Sequence, residues 1–465
     1  MQQLRKLICG LSCVLVLAAA LPGAAAAAPP TAEERIAELE KQVQHLTKDL
    51  AAAKAAGTVP ADRLAELERR LDLLSRELEA ARLGEAASDQ TAGSRYGLGP
   101  SASKIYAKSR GVSIGGYGEA NYRNPSNSDD SGNPSGASAV ADLQRVVLYF
   151  GYKWSDRWLF NSEIEYEHAT TGEGDEEEGE ISIEFANIDW LARPEANGRA
   201  GLVLMPVGFL NELHEPVTFF GVRRPLVEQV IIPTTWREMG VGGFGDVGPV
   251  SWRAYLTTGL NAEGLSGEGW RDARQGGSES LAEDFALVAR ADWTIMPGLL
   301  VGASGFIGDS GQGLQTTAGD DLDARATLYE AHAEWRLQGL TTRVLGVQTG
   351  LDDAAELNDA LGLAGPDGAG EKMRGWYAEA GFDVLSLGEP KSQSLSPFFR
   401  YESFDTQSTV SGGFVRDPAR NVTMFTAGVA WKPIPQIVIT ADFQNVDNAA
   451  GTGVDQANLG IGFIF

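Results

Sequence analysis

The chain has 465 residues, a net charge of −25 and 43% hydrophobic residues. The acidic balance argues against a nucleic-acid partner, and after residue 28 no apolar run is long enough for a membrane helix. Either a soluble all-β protein or a transmembrane β-barrel fits, because a barrel's lipid-facing residues alternate with polar lumen residues and dilute hydropathy.

Arg5 and Lys6 precede an apolar stretch from Leu7 to Ala20 and a small-residue zone over 21–28. This is the layout of a secretory signal peptide (1–28), with cleavage expected between Ala26 and Pro29. Cys9 and Cys13 both lie inside it, so the mature chain is expected to carry no disulfide and no thiol chemistry. Four histidines without a Cys/His cluster point to no metal site, and no cofactor motif or catalytic constellation is present.

Residues 31–83 carry heptads. Ile36, Leu39, Val43, Leu46 and Leu50 form one run, and Leu64, Leu67, Leu71, Leu74 and Leu78 a second in the same register. Gly57 and Pro60 interrupt them, which leaves two kinked coiled-coil segments or a helical hairpin. A polar helix of this length needs a partner for its seam, so a self-associating periplasmic coil is expected. Residues 84–110, rich in Gly, Ser and Ala, read as a linker.

From Gly111 to the C-terminus the pattern has period two, and 111–465 is expected to form a barrel. Sixteen strands are expected, beginning near Gly111, Ala141, Trp158, Glu180, Gly198, Met239, Pro249, Leu281, Leu299, Ala324, Leu340, Glu371, Leu395, Arg420, Gln436 and Ala457. Their connections alternate. Short ones fall at 155–157, 193–197, 246–248, 296–298, 338–339, 386–394 and 432–435. Long ones fall at 124–140, 169–179, 206–238, 259–280, 309–323, 350–370, 405–419 and 446–456. A soluble sandwich has no reason to put every long loop at one end, whereas an outer-membrane barrel has short periplasmic turns and long extracellular loops. Trp154, Trp158, Trp190, Trp252, Trp293, Trp335 and Trp431 all lie beside the short turns, as an interfacial aromatic girdle requires.

Alternation assigns the faces. Val146, Leu148, Phe150, Tyr152 and Trp154 oppose Arg145, Tyr149 and Lys153, and Tyr329, Ala331, Ala333 and Trp335 oppose Glu330, His332, Glu334 and Arg336. The charged side must face the lumen, since a charge at the lipid midplane costs about 2–4 kcal/mol. The strands at 180–191 and 340–349 keep no clean phase, so bulges are expected in both. The C-terminal residue, Phe465, resembles the assembly signal of outer-membrane barrels.

A barrel of this size is expected to enclose water rather than a side-chain core. The connection 206–238 is the one that looks built to fold inward, with large apolar residues (Phe209, Phe219, Phe220, Ile231) and four prolines that forbid a ladder strand. Arg223 and Arg224 lead its constriction candidates, followed by Arg237, Glu212, His214, Glu215 and Glu228; the alternative pairs its arginines with its own glutamates against the wall. Lumen arginines recur at Arg145, Arg199, Arg253, Arg290, Arg336 and Arg400, a candidate anion track, since guanidinium forks suit phosphate and carboxylate. The acidic run Asp175, Glu176, Glu177 and Glu178 reads as a solvated loop tip with divalent cations that bridge lipopolysaccharide as its alternative partner.

The layout of leader, short coil and sixteen-strand barrel resembles the phosphate-selective porin family (types O and P). The segments FNSEIEYEHA (160–169), GLVLMPVGFLNELHEP (201–216) and IIPTTWREMGVGGFG (231–245) carry the resemblance. It implies a homotrimeric outer-membrane channel, not an enzyme, passing small anions such as phosphate. The rival expectation is a structural envelope tether, with the barrel as anchor and the coil bound to a periplasmic partner or the cell wall.

Overall fold

Strands that are apolar on one side and charged on the other can sit in a bilayer only if every ladder is closed. In the computed structural model all sixteen close into one antiparallel barrel. The described residues are 32–56, 63, 67–71, 74, 94–108, 110–169, 179–388 and 392–465. The strands are β1 Gly111–Pro125, β2 Val140–Lys153, β3 Trp158–Glu167, β4 Ile181–Arg193, β5 Ala196–Leu204, β6 Arg237–Val247, β7 Val250–Thr258, β8 Phe285–Met296, β9 Leu299–Gly308, β10 Ala326–Leu337, β11 Leu340–Leu351, β12 Lys372–Phe382, β13 Ser394–Thr409, β14 Asn421–Ile434, β15 Ile437–Asn448 and β16 Gln456–Ile464. Each pairs with its neighbours in sequence, and β16 closes on β1 with Tyr117 opposite Ile464. The largest displacement from expectation is at β8, which starts at Phe285 rather than near Leu281.

The expected faces are present. Val146, Leu148, Phe150, Tyr152 and Trp154 are exposed on the outer surface, while Arg145, Tyr149 and Lys153 are buried inside. Trp154, Trp158, Trp190, Trp293, Trp335 and Trp431 are exposed beside the short turns. Trp252 is half-buried there, with its Nε1 donating to the Glu195 carbonyl at 3.0 Å.

Of the two bulges expected, β4 has one: its register against β3 shifts between Glu163 and Ile164, with Glu184 as the extra residue. The expectation for β11 is corrected. Its ladders with β10 and β12 run without a register shift. Its phase is blurred because the inward side carries Leu345, Val347 and Leu351 beside Thr341 and Arg343. Those apolar residues pack on something that only the folded barrel supplies.

That something corrects the expectation of a simple water-filled lumen. A large part of the interior is a side-chain core, in which Val203, Met205, Phe209, Val227, Ile231, Trp236, Trp270, Phe306, Leu345 and Tyr377 form one buried cluster. Besides the wall strands, it is built mainly from two connections that fold inward, 205–236 and 259–284, with Leu322, Ala354 and Leu357 added from two further loops.

The chain divides into two compact units, Met1–Arg82 and Leu83–Phe465. In the first, helix α1 (Ala32–Ala56) buries Leu39 and Leu50 and half-buries Val43 and Leu46, the heptad positions. Lys54 Nζ lies 2.8 Å from Glu68 Oε1. Fourteen residues of unbroken helix would separate these groups by about 21 Å, so Lys54 and Glu68 do not lie on one straight helix. The signal-peptide residues, Asp175 to Glu178 and the first part of the linker lie outside the described residues.

Candidate functional site

The loop between β5 and β6 crosses the lumen, and buried polar groups hold it there. Asn211, fully buried, clamps its two ends: Nδ2 donates to the Met205 carbonyl (2.6 Å) and the Trp236 carbonyl (2.8 Å), and the Trp236 amide donates to Oδ1 (2.6 Å). His214 Nε2 meets the buried Glu163 carboxylate of β3 at 3.0 Å, and Nδ1 faces the Asn211 carbonyl at 2.9 Å. Burial alone would lower this imidazole, but Glu163 more than offsets it and the group is raised. Two wall glycines let the loop approach closely, since a Cβ at Gly381 would meet the Phe220 ring and one at Gly460 would meet Val222.

The loop's glutamates have partners other than its arginines. Glu212 pairs with Arg253 at 3.1 Å. Glu215 accepts from the amides of Ser101 (2.8 Å) and Ala102 (3.2 Å). Glu228 accepts from the Leu210 amide (2.7 Å) and the Tyr377 hydroxyl (2.6 Å). Burial pushes Glu215 and Glu228 up to about 7, so neither adds a full negative charge to the loop at neutral pH. Arg237, at the start of β6, pairs with Glu184 at 2.7 Å.

Arg223 and Arg224 are left over. Arg224 donates weakly to the His214 carbonyl at 3.4 Å. Among the described residues no carboxylate lies within ion-pair distance of either guanidinium, so the self-paired arrangement weighed from sequence is absent. Both line a narrow chamber of about 40 Å³ on the long-loop side, with Phe219, Val222, Glu119 and Glu167. The two glutamates face Arg145, at 2.8 and 3.7 Å. Arg271 joins the lining from the 259–284 loop; it donates to the Thr234 carbonyl and has no ion-pair partner among the described residues. Neighbouring Arg274 donates to the carbonyls of Thr235 (3.0 Å) and Pro233 (3.2 Å).

All six arginines of the candidate track point inward, each beside a carboxylate. Arg145 binds Glu165 at 2.7 Å, Arg199 binds Asp189 at 2.8 Å, and Arg253 and Arg290 share Asp292 at 2.5 and 2.8 Å. Arg336 meets Glu334 at 2.8 Å, and Arg400 holds Glu402 at 2.8 Å and Glu379 at 3.3 Å. Several also grip the loop backbone: Arg400 donates to the carbonyls of Phe220 and Arg223 at 3.3 Å each, and Arg290 to that of Gly208. Pairing makes these positions structural as built, and concentrates uncompensated positive charge on Arg223, Arg224 and Arg271.

On the short-turn side a cavity of about 370 Å³ is bordered by Phe209, Leu213 and Thr218 of the loop and by Arg253, Arg290 and Arg343 of the wall. Ser94 to Gly97 close its remaining side. Sequence reasoning missed Asn211, Arg271 and this N-terminal segment. Trp270 is the signal for Arg271, because it stands in a long loop away from the short turns and is buried in the lumen core.

No family model matches the chain. An uncharacterized protein of Aquifex aeolicus (strain VF5) is 38% identical over 361 residues, 76% of this chain and 79% of that protein. Among solved structures, the chain is similar to Salmonella typhi OmpF in complex with daunomycin, with a TM-score of 0.52 and 12% identity over 77% of this chain and 98% of that one. It also aligns with the anion-selective porin from Comamonas acidovorans, at TM-score 0.46 and 13% identity over 76% and 99% of the respective chains. The likeness to OmpF is one of fold, a porin-like closed antiparallel β-barrel.

Proposed function

The chain belongs to one family with the Aquifex aeolicus protein, and we propose that it forms a passive aqueous channel across the outer membrane for small anionic solutes. The observation that carries this reading is the inward loop with Arg223 and Arg224 unpaired beside Arg271, while every glutamate of that loop is engaged elsewhere. A guanidinium without a carboxylate is a ready fork for a phosphate or carboxylate oxygen pair, so phosphate-like ions head the solute list. In this reading the short-turn end is periplasmic, residues 1–28 are a leader, and the helical 31–83 region lies in the periplasm. Three copies associate there through the helical region.

Purified full chain in planar bilayers tests the reading. Discrete conductance steps are expected, with a reversal potential on the anion side under a potassium chloride gradient and a chloride current reduced by added phosphate. A barrel that folds but passes no current would favour the envelope-tether reading, and a cation-side reversal potential would remove the anion assignment.

A further inference from the structure

Residues 94–107, part of the stretch that reads as a linker, are built into the barrel. Tyr96 and Gly97 make a tight turn at positive φ between the bridged Arg95 and Leu98, and α2 (Lys104–Ala107) follows. Leu98, Ala102, Ile105 and Tyr106 are buried against Val147, Tyr149, Leu159 and Phe185 on the inner wall. Ile105 packs 3.0–3.1 Å from where a Cβ on Gly151 would stand, so the wall is cut back to receive it. Polar groups fit equally. The Tyr106 hydroxyl donates to Asp189 at 2.6 Å, Asn161 Nδ2 donates to the Ala102 carbonyl at 3.0 Å, and Ser101 Oγ donates to the Phe465 carbonyl at 2.5 Å.

A free linker would need none of these partners. The segment also touches the inward loop, because the Ser101 and Ala102 amides supply the hydrogen bonds of Glu215. Its opposite face, with Arg95 and Tyr96, borders the 370 Å³ cavity across from Arg253 and Arg290. Arg95 is exposed there, and among the described residues no carboxylate lies within ion-pair distance of it.

We propose that residues 94–107 are a resident second constriction of the channel, which narrows its short-turn exit, presents Arg95 to passing ions and holds the inward loop through Glu215. This rests on the channel reading above. The segment is not a plug that leaves, since its contacts join it at once to the wall, the loop and the C-terminal residue.

The test is single-channel recording of the full chain, of a deletion of 95–106, and of Arg95→Glu. The deletion should raise unitary conductance by about twofold, because the exit is widened, and should make the open level noisier as Glu215 loses its donors. Unchanged conductance from a deletion that still forms a heat-modifiable barrel would overturn the proposal. Should the deletion fail to fold, Arg95→Glu decides. A reversal potential moved toward cations at near-normal conductance supports a role in the ion path, and an unmoved one overturns it. A silent wild type with a conducting deletion would make the segment a plug and refute residency. Silence from all three would refute the channel reading, and the constriction with it.

Discussion

Exchanging Arg223 and Arg224 for glutamate tests the constriction most directly. Four arginines and two glutamates line the long-loop chamber, a net +2, and the double exchange leaves two arginines and four glutamates, a net −2. A unit charge about 7 Å from a passing ion contributes about 0.6 kcal/mol in water, which screening at a Debye length of about 8 Å reduces to about 0.25 kcal/mol. A change of four charges thus moves a monovalent anion by about 1 kcal/mol and a cation by as much in the other direction, so the anion-to-cation permeability ratio should fall about 30-fold. Low-dielectric walls concentrate the field, so the shift should be at least this large. The assay is reversal potential in a planar bilayer under a salt gradient, which should change sign, with weaker phosphate block. Asp320→Lys with Asp321→Lys, a charge change of equal size on an outer loop tip, is the control and should barely move it. A quiet channel of normal conductance with an unaltered reversal potential in the double variant would refute the reasoning and remove these arginines from the ion path.

His214→Ala leaves the Glu163 carboxylate buried without its partner and should cost about 3–5 kcal/mol, read as a lower heat-modification temperature on gels and a flickering open level. The pH sense follows from the same group. Its folded pKa is raised, so its contribution is complete below the ordinary imidazole range and fades as pH rises through the raised value; Glu215, pushed up to about 7, acts in the same direction. Open-channel noise should therefore grow as pH rises from the ordinary carboxylate range through neutrality and above the ordinary imidazole range, and noise that grows only as pH falls would contradict the assignment. Arg400→Met strips the cation from Glu402, leaves Glu379 only Arg343 at 3.5 Å, and removes two hydrogen bonds from the loop, with an expected loss of about 3–5 kcal/mol measurable by urea titration of the refolded barrel. Gly381→Leu fills the space over which Phe220 lies and should dislodge that part of the loop at a cost of about 1–3 kcal/mol; a channel indistinguishable from wild type would show that Phe220 does not anchor it.

Strand number, strand ends, faces and loop polarity were legible in the chain because a bilayer imposes them residue by residue. Each strand must alternate apolar and polar within its own ten or so residues, and six of the seven short turns have an interfacial tryptophan beside them. No long-range information is needed for either signal. The inward fold of 205–236 was legible for a related reason: a long loop with that apolar content has nowhere else to bury it.

What the loop binds was not legible. Glu163 meets His214 across 51 positions and Tyr377 meets Glu228 across 149, and no local pattern distinguishes these from solvated charges. The same holds for the lumen arginines, whose alternation shows only that they point inward; whether they face an ion or a carboxylate depends on which strand stands beside them. β11 looked irregular because its inward leucines and valine answer to a core that exists only once the inward loops have folded in. The segment 94–107 looked like a linker because small residues such as Ser101 and Ala102 are ambiguous alone, and acquire meaning only against Glu215 and a wall shaped to receive them. Sequence determined the barrel, because lipid acts locally. Tertiary structure alone decided the lumen, because there each polar group is matched to a partner brought from far along the chain.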